Sequence, residues 1–420
     1  MGCLLTTRGL VAQSAPGGGG GGDSEVLLAV GHARVPSKVF HATRDISVWL
    51  PDGAPAGAAR YPVLVFPDAE EKGEFRSALA NIQFLIDRGL IPPLMVLGVP
   101  YFANRTHELT PAASGSSLQA WPDAGGADQT LQFIVDELLP WADAHYPTAP
   151  TRILAGHSFG ALFALHAMIR RPEVFRVVIA MSPPMGWNDG AFSREAAASL
   201  ASDSTHTRTL FVASGGLDIP IVQSTPAFAA RLTALLDSVP TRRLTFEFRL
   251  FPRDPHDMTP LPGLVDGLRM AFASLVVPID SVLDQLSSRP AQDSAEILAT
   301  VQGLESRRAA AASTLGVPAL FPEDPLNQLG FYSLDAKHPG LAVALLRENR
   351  DRYPRSSNAR ESLGEALIAM GDTLGAVGEF RAAIAIANDE LRTTRSIITR
   401  TRQRAIAAAA LAQLRAVHRT

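Results

Sequence analysis

A serine between two glycines, Gly156-His157-Ser158-Phe159-Gly160, stands where a short apolar run (Ile153 to Ala155) gives way to a helical stretch from Phe159. A strand that turns sharply into a helix throws the residue at the turn clear of the sheet. Glycines on either side keep side chains out of the cramped bend. The pattern predicts Ser158 as a nucleophile. A serine hydroxyl attacks a carbonyl only when a base takes its proton, so a histidine must reach it from elsewhere in the chain. Of the ten histidines, His157 points away from its neighbour on such a bend and reads as structural, and His145 and His166 fall on predicted helices. His256 lies in Pro252-Arg253-Asp254-Pro255-His256-Asp257-Met258, a turn-rich loop after an apolar strand, and is the expected base. The acid that orients it is expected at Asp218, in Ser214-Gly215-Gly216-Leu217-Asp218, with Asp254, Asp257 and Asp189 as competitors. Capping a helix that begins near Ser224 is the other use open to Asp218. Two backbone N–H groups must meet the developing oxyanion. One is expected from Phe159, the other from Glu70 in the loop after the Tyr61 strand.

The elements that must hold these residues alternate. Tyr61 to Phe66, Leu94 to Val99, the run before the elbow, Val177 to Met181, Leu210 to Ser214 and Leu244 to Phe251 read as strands. Between them, helices are expected at Phe75 to Arg88, Thr130 to His145, Phe159 to Arg170 and around Phe228 to Leu236, with Leu264 to Leu275 closing the series. Near-continuous apolar strands such as Tyr-Pro-Val-Leu-Val-Phe at Tyr61 are covered on both faces. The alternation predicts a doubly wound, mostly parallel sheet whose site lies at the carboxyl ends of its strands.

Bulk composition narrows the classes. The chain has 420 residues, 46% of them hydrophobic, and a mean hydropathy of +0.10, which fits a catalytic domain with something appended. A net charge of −3 gives no reason to expect nucleic acid as a partner. Cys3 is the only cysteine, which excludes an intrachain disulfide or a cysteine-rich metal site. No apolar run reaches the ~18 residues of a transmembrane segment. No metal or organic cofactor is implied.

Several blocks in order carry a family resemblance: Tyr61-Pro62-Val63-Leu64, Ile91-Pro92-Pro93-Leu94, Asn104-Arg105-Thr106-His107-Glu108-Leu109-Thr110-Pro111, Gly125-Gly126-Ala127, the elbow, Ser182-Pro183-Pro184 and Pro255-His256-Asp257. From about Val35 to Val277 the chain resembles the esterase D and ferric-siderophore (enterochelin-type) esterase group of α/β-hydrolases. The resemblance implies the α/β-hydrolase fold and hydrolysis of carboxylic esters, siderophore-type lactones among them. It places the base on His256 and an acid in the loop of Asp218, in the chain order serine, acid, histidine. It also suggests an exported or periplasmic setting. Arg105 would then read an anionic or ferric-catecholate substrate, or simply be solvated. Trp187 would wall an acyl or aryl pocket, or pack in the core. Two positions depart from the family: Asp68-Ala69 stands where Asp-Gly is usual, and Ala161 where a second glycine follows the elbow.

Four segments result. Residues 1–25, with six glycines after Ala15-Pro16, read as a flexible or signal-like leader, and Met1-Gly2-Cys3-Leu4-Leu5-Thr6 also fits an N-myristoylation pattern. Residues 26–278 form the catalytic domain, 279–323 a helical linker and 324–420 a small all-helical domain. In the last, Leu329-Gly330 matches Leu363-Gly364, Ala342 matches Ala376 and Leu346 matches Phe380, always 34 residues apart. That period is the tetratricopeptide repeat, whose helix pairs could dock a protein partner. The seven arginines and no acids of residues 392–420 read as a polar capping helix. An acyltransferase on the same scaffold and a catalytically silent repeat-based adaptor are the competing functions.

Overall fold

The computed structural model describes residues 30–51, 60–69, 73–239, 243–288, 294–319, 321–394 and 397–417. Eight strands make one sheet: β1 (Gly31–Ser37), β2 (Ala42–Trp49), β3 (Tyr61–Pro67), β4 (Met95–Val99), β5 (Thr148–His157), β6 (Phe175–Met181), β7 (Arg208–Leu217) and β8 (Leu244–Pro255). Their order is β1-β2-β4-β3-β5-β6-β7-β8. The first two form an antiparallel pair and β2 runs antiparallel to β4. Every pair from β4 to β8 is parallel.

The continuous apolar strands are explained by the two cores they serve. Along β3, Val63 and Val65 enter one core while Leu64 and Phe66 enter the other, following the two-residue period of a strand. Each fully buried Val, Leu or Phe contributes about 1.5–3 kcal/mol of transfer free energy. The helices Phe159–Arg170, Ala191–Ser202 and Thr225–Asp237 cover the first face through Phe163, Ala197 and Phe228. On the second face, Leu79 and Leu268 do the same for the helices Glu74–Asp87 and Pro260–Ala271.

After Pro278 every element among the described residues is a helix: Ile279–Ser287, Ser294–Leu315, Glu323–Asp335, Pro339–Arg352, Ser357–Met370, Thr373–Thr393 and Ile397–Val417. The 34-residue match in sequence recurs as a contact. A Cβ on Gly330 would stand 2.5 Å from Leu346, and one on Gly364 would stand 2.5 Å from Phe380. In both places the missing side chain lets a helix close on its partner.

The helix Ser294–Leu315 is a wall shared by two cores. Ala312 and, just beyond it, Val317 enter the same apolar cluster as Ile153 and Leu268. Thr151 Oγ1, on β5, donates to the Leu315 carbonyl and lies 3.2 Å from that of Gly316. Buried Arg308 donates to the Leu275 carbonyl. Ile297, Val301 and Leu304 pack the other way, with Phe321, Leu326 and Leu329. Among the described residues no single helix is long and apolar enough to cross a membrane.

Candidate active site

Ser158 stands between the end of β5 and the helix Phe159–Arg170 with φ 56° and ψ −119°, a left-handed backbone that a non-glycine residue adopts only under constraint. The constraint is visible on both sides. Its N–H donates to the Met181 carbonyl at 2.9 Å, and its carbonyl accepts from Ala161 N at 3.0 Å. A Cβ on Gly156 would meet the Gly160 carbonyl oxygen at 2.3 Å, so only glycine lets strand and helix approach this closely. Phe159 N–H, in the helix's first turn, has no partner within the helix and lies at the positive end of its dipole. Glu70, expected to supply the second amide, lies outside the described residues.

Asp218 follows β7 and His256 follows β8, so both come to the carboxyl end of the sheet where the elbow lies. His256 Nδ1 is 2.5 Å from Asp218 Oδ1, and the Asp218 side chain is fully buried. A carboxylate can only accept, so Nδ1 carries a proton, and it is Nε2 that holds the lone pair in the neutral ring. Asp218 also accepts from Ser182 Oγ at 2.6 Å, Gly215 N at 3.1 Å and Ile219 N at 3.0 Å. Burial pushes its carboxyl up, yet the bonds from His256, Ser182 and Gly215 outweigh this and hold it below the ordinary aspartate value. No hydrogen bond joins Ser158 Oγ to His256 among the described residues.

Of the four aspartates weighed from sequence, only Asp218 is bonded to the His256 ring. Asp189 instead bonds Ser116 on the surface. The helix Thr225–Asp237 has Ser224 as its cap residue, and Asp218 gives it no side-chain bond. His157 Nε2 lies 3.0 Å from the His256 carbonyl oxygen. His166, on the helix Phe159–Arg170, bonds Asp128 at 2.7 Å, away from these groups.

Arg105 and Trp187 both converge on Phe159. The Arg105 guanidinium grips Asp68 with three bonds of 2.7–2.9 Å and lies 5.3 Å from the Phe159 ring centre. Its positive charge is thus already matched. Trp187 is fully buried, stacked 5.4 Å from Trp121 and edge-on to Phe159 at 5.8 Å. Trp121, half-buried, meets Phe159 edge-on at 5.6 Å. An aromatic trio therefore abuts the residue next to Ser158.

Sequence reasoning does not single out Trp121, Ser182 or Thr259, whose Oγ1 lies 2.8 Å from Ser182 Oγ. Ser182 was visible only as part of a Ser-Pro-Pro block, and the other two carried no motif. A cavity of about 360 Å³ lies far from this site, at the opposite end of β3, between Tyr61 and Pro92 on one side and Pro322, Tyr353 and Gln403 on the other.

A family model described as "Putative esterase" matches residues 37–252, just over half of the chain. Ferri-bacillibactin esterase BesA of Bacillus subtilis is 30% identical over 148 residues, covering 32% of this chain and 51% of that protein. A siderophore enterobactin esterase of Emericella nidulans is 26% identical over 190 residues, covering 37% and 63%. The chain thus spans between half and two thirds of the length of these two curated relatives. Among solved structures, an IroE-like serine hydrolase from Shewanella oneidensis superposes with a TM-score of 0.62 at 22% identity, over 77% of this chain and all of that one. At that identity the likeness speaks for the shared α/β-hydrolase fold. The family match covers both the elbow and the loop of Asp218, and the chain belongs to this esterase family.

Proposed function

We propose that this protein hydrolyses carboxylic esters through Ser158, Asp218 and His256. The observation that carries the reading is the Asp218–His256 bond. It leaves Nε2 free to accept a proton at the strand ends where Ser158 is held in a strained turn. His256 takes the Ser158 proton as Oγ attacks the ester carbonyl, and the Phe159 amide meets the oxyanion. The protonated imidazole then gives its proton to the leaving alcohol, leaving an acyl-enzyme. Water, deprotonated in turn by His256, cleaves it and frees the acid. Asp218 stabilises the imidazolium throughout.

Siderophore-type lactones are the proposed substrates, because the matched relatives are named as esterases of siderophores. The aromatic trio would flank an aryl acyl group. Arg105, already paired with Asp68, would hold that wall in place through Phe159. Hydrolysis is favoured over a silent adaptor because an adaptor has no use for a strained serine beside an oriented imidazole.

A fluorophosphonate probe tests the reading. It is expected to label Ser158, and Ser158→Ala is expected to lose both the label and turnover of p-nitrophenyl acetate. Undiminished turnover in the variant would remove Ser158 from the chemistry.

A further inference from the structure

Among the described residues, the His256 carbonyl has two side-chain neighbours able to donate a hydrogen: His157 Nε2 at 3.0 Å and Thr259 Oγ1 at 2.9 Å. Thr259 Oγ1 is also 2.8 Å from Ser182 Oγ, which is 2.6 Å from Asp218 Oδ2. A hydroxyl has one hydrogen, so these three oxygen–oxygen contacts share two. The Asp218 carboxylate can only accept and is the strongest acceptor present, so it takes the Ser182 hydrogen. If the Thr259 hydrogen then went to the carbonyl, two hydroxyl oxygens would face each other at 2.8 Å with no hydrogen between them. Directed at Ser182 Oγ, the same hydrogen removes that repulsion and completes a chain from Thr259 through Ser182 to Asp218.

From this count we infer that His157 is a positioning residue for the base: its Nε2–H is the donor that holds the His256 carbonyl. The inference rests on the reading of Ser158 and His256 given above. The two imidazole rings lie 4.5 Å apart, tilted by 42°. On its far side, His157 Nδ1 is 3.5 Å from Glu74 Oε2, at the start of the helix Glu74–Asp87. His157 is the last residue of β5, whose inner half is fully buried, and directly precedes the nucleophile. Tying the base's backbone to that residue fixes the separation of His256 from Ser158 independently of Asp218. Asp218 sets how the imidazole is turned, and His157 sets where its main chain stands.

The test uses the full chain and three substitutions. His157→Phe keeps a ring against His256 and removes the donor. His157→Gln restores an N–H at the reach of Nε2. His157→Asn carries its amide only to the place of Nδ1. For His157→Phe, kcat on p-nitrophenyl acetate and the rate of fluorophosphonate labelling are expected to fall about ten- to a hundredfold, with KM within about twofold. His157→Gln is expected to recover to within about fivefold of wild type, because the donor is back in place. Should the Phe variant fail to fold, His157→Asn replaces it with the same expectation. Wild-type kcat in the Phe or Asn variant, or a Gln variant as slow as they are, overturns the inference. Absence of label on wild-type Ser158 is a separate result, which would overturn the proposed function itself.

Discussion

His256 Nδ1 and Asp218 Oδ1 are 2.5 Å apart, while the other oxygen of the same carboxylate is held by Ser182 Oγ at 2.6 Å and Gly215 N at 3.1 Å. The carboxylate is therefore fixed in plane before the imidazole meets it. Asp218→Asn would offer His256 an amide in place of an acceptor-only group, which favours the wrong tautomer. The expected loss is on the order of 10⁴ in kcat, as for the same change in serine proteases. Ser182→Ala, which removes one of several donors to Asp218, is expected to cost roughly tenfold. Kinetics beside a thermal melt check both, and a wild-type kcat for Asp218→Asn would take the acid's role away from it.

The same carboxylate sets an acid limit on stability. Its folded pKa lies below the ordinary value, so the unfolded chain binds its proton first as pH falls. The stability it contributes is complete above the ordinary aspartate pKa of about 4 and is lost as pH falls through the lower folded value. Below about pH 4, the melting temperature of wild type is expected to fall more steeply than that of Asp218→Asn. Parallel curves would mean that the carboxylate is not held ionised by its donors.

Glu361 behaves in the opposite sense. Burial, then the neighbouring Glu365 carboxylate, pushes it up to about 7 from 4.5. Between those values the folded chain keeps a proton that the unfolded chain releases, so stability is lost as pH rises through that window. Glu361→Gln cannot ionise. Its advantage in melting temperature over wild type is expected to grow by a few degrees between about pH 4.5 and 8. A difference that stays constant with pH would refute this.

A chain ending at Pro278 keeps every residue of the candidate site but loses the helix Ser294–Leu315. It bares the seat of Ala312 and Val317 against Ile153 and Leu268. It also leaves Thr151 Oγ1 and the Leu275 carbonyl without their partners. This shortened chain is expected to melt at least about 5 °C below the full one and to aggregate sooner. An equal melting temperature would show that the helical region is not part of the hydrolase core.

What the sequence disclosed follows from how local each feature is. The elbow was legible because strand, turn and helix are consecutive, and Gly156 and Gly160 answer to a close approach within five residues. Asp218 and His256 could be proposed because they follow successive strands, although a separation of 38 positions hides their contact. Trp121 and Thr259 left no trace, since a lone residue in a loop has no periodicity to read. Residues 279–323 read as helical from sequence, and within them Ile297, Val301, Leu304, Arg308 and Ala312 of the helix Ser294–Leu315 fall at helical spacing. Which neighbour each face meets is a tertiary choice that an alanine-rich pattern does not encode.

The bond from Thr151 to the Leu315 carbonyl spans more than 160 residues, and that span bears on synthesis. Domains emerging from the ribosome fold as units, amino terminus first. Here the strand that leads to Ser158 keeps part of one face, the seat of Ala312 and Val317, open until residue 317 has left the exit tunnel. A nascent chain paused between Pro278 and Val317 would carry Ser158, Asp218 and His256 on a sheet whose second face, already covered by the helices Glu74–Asp87 and Pro260–Ala271, still lacks the cover of Ala312 and Val317.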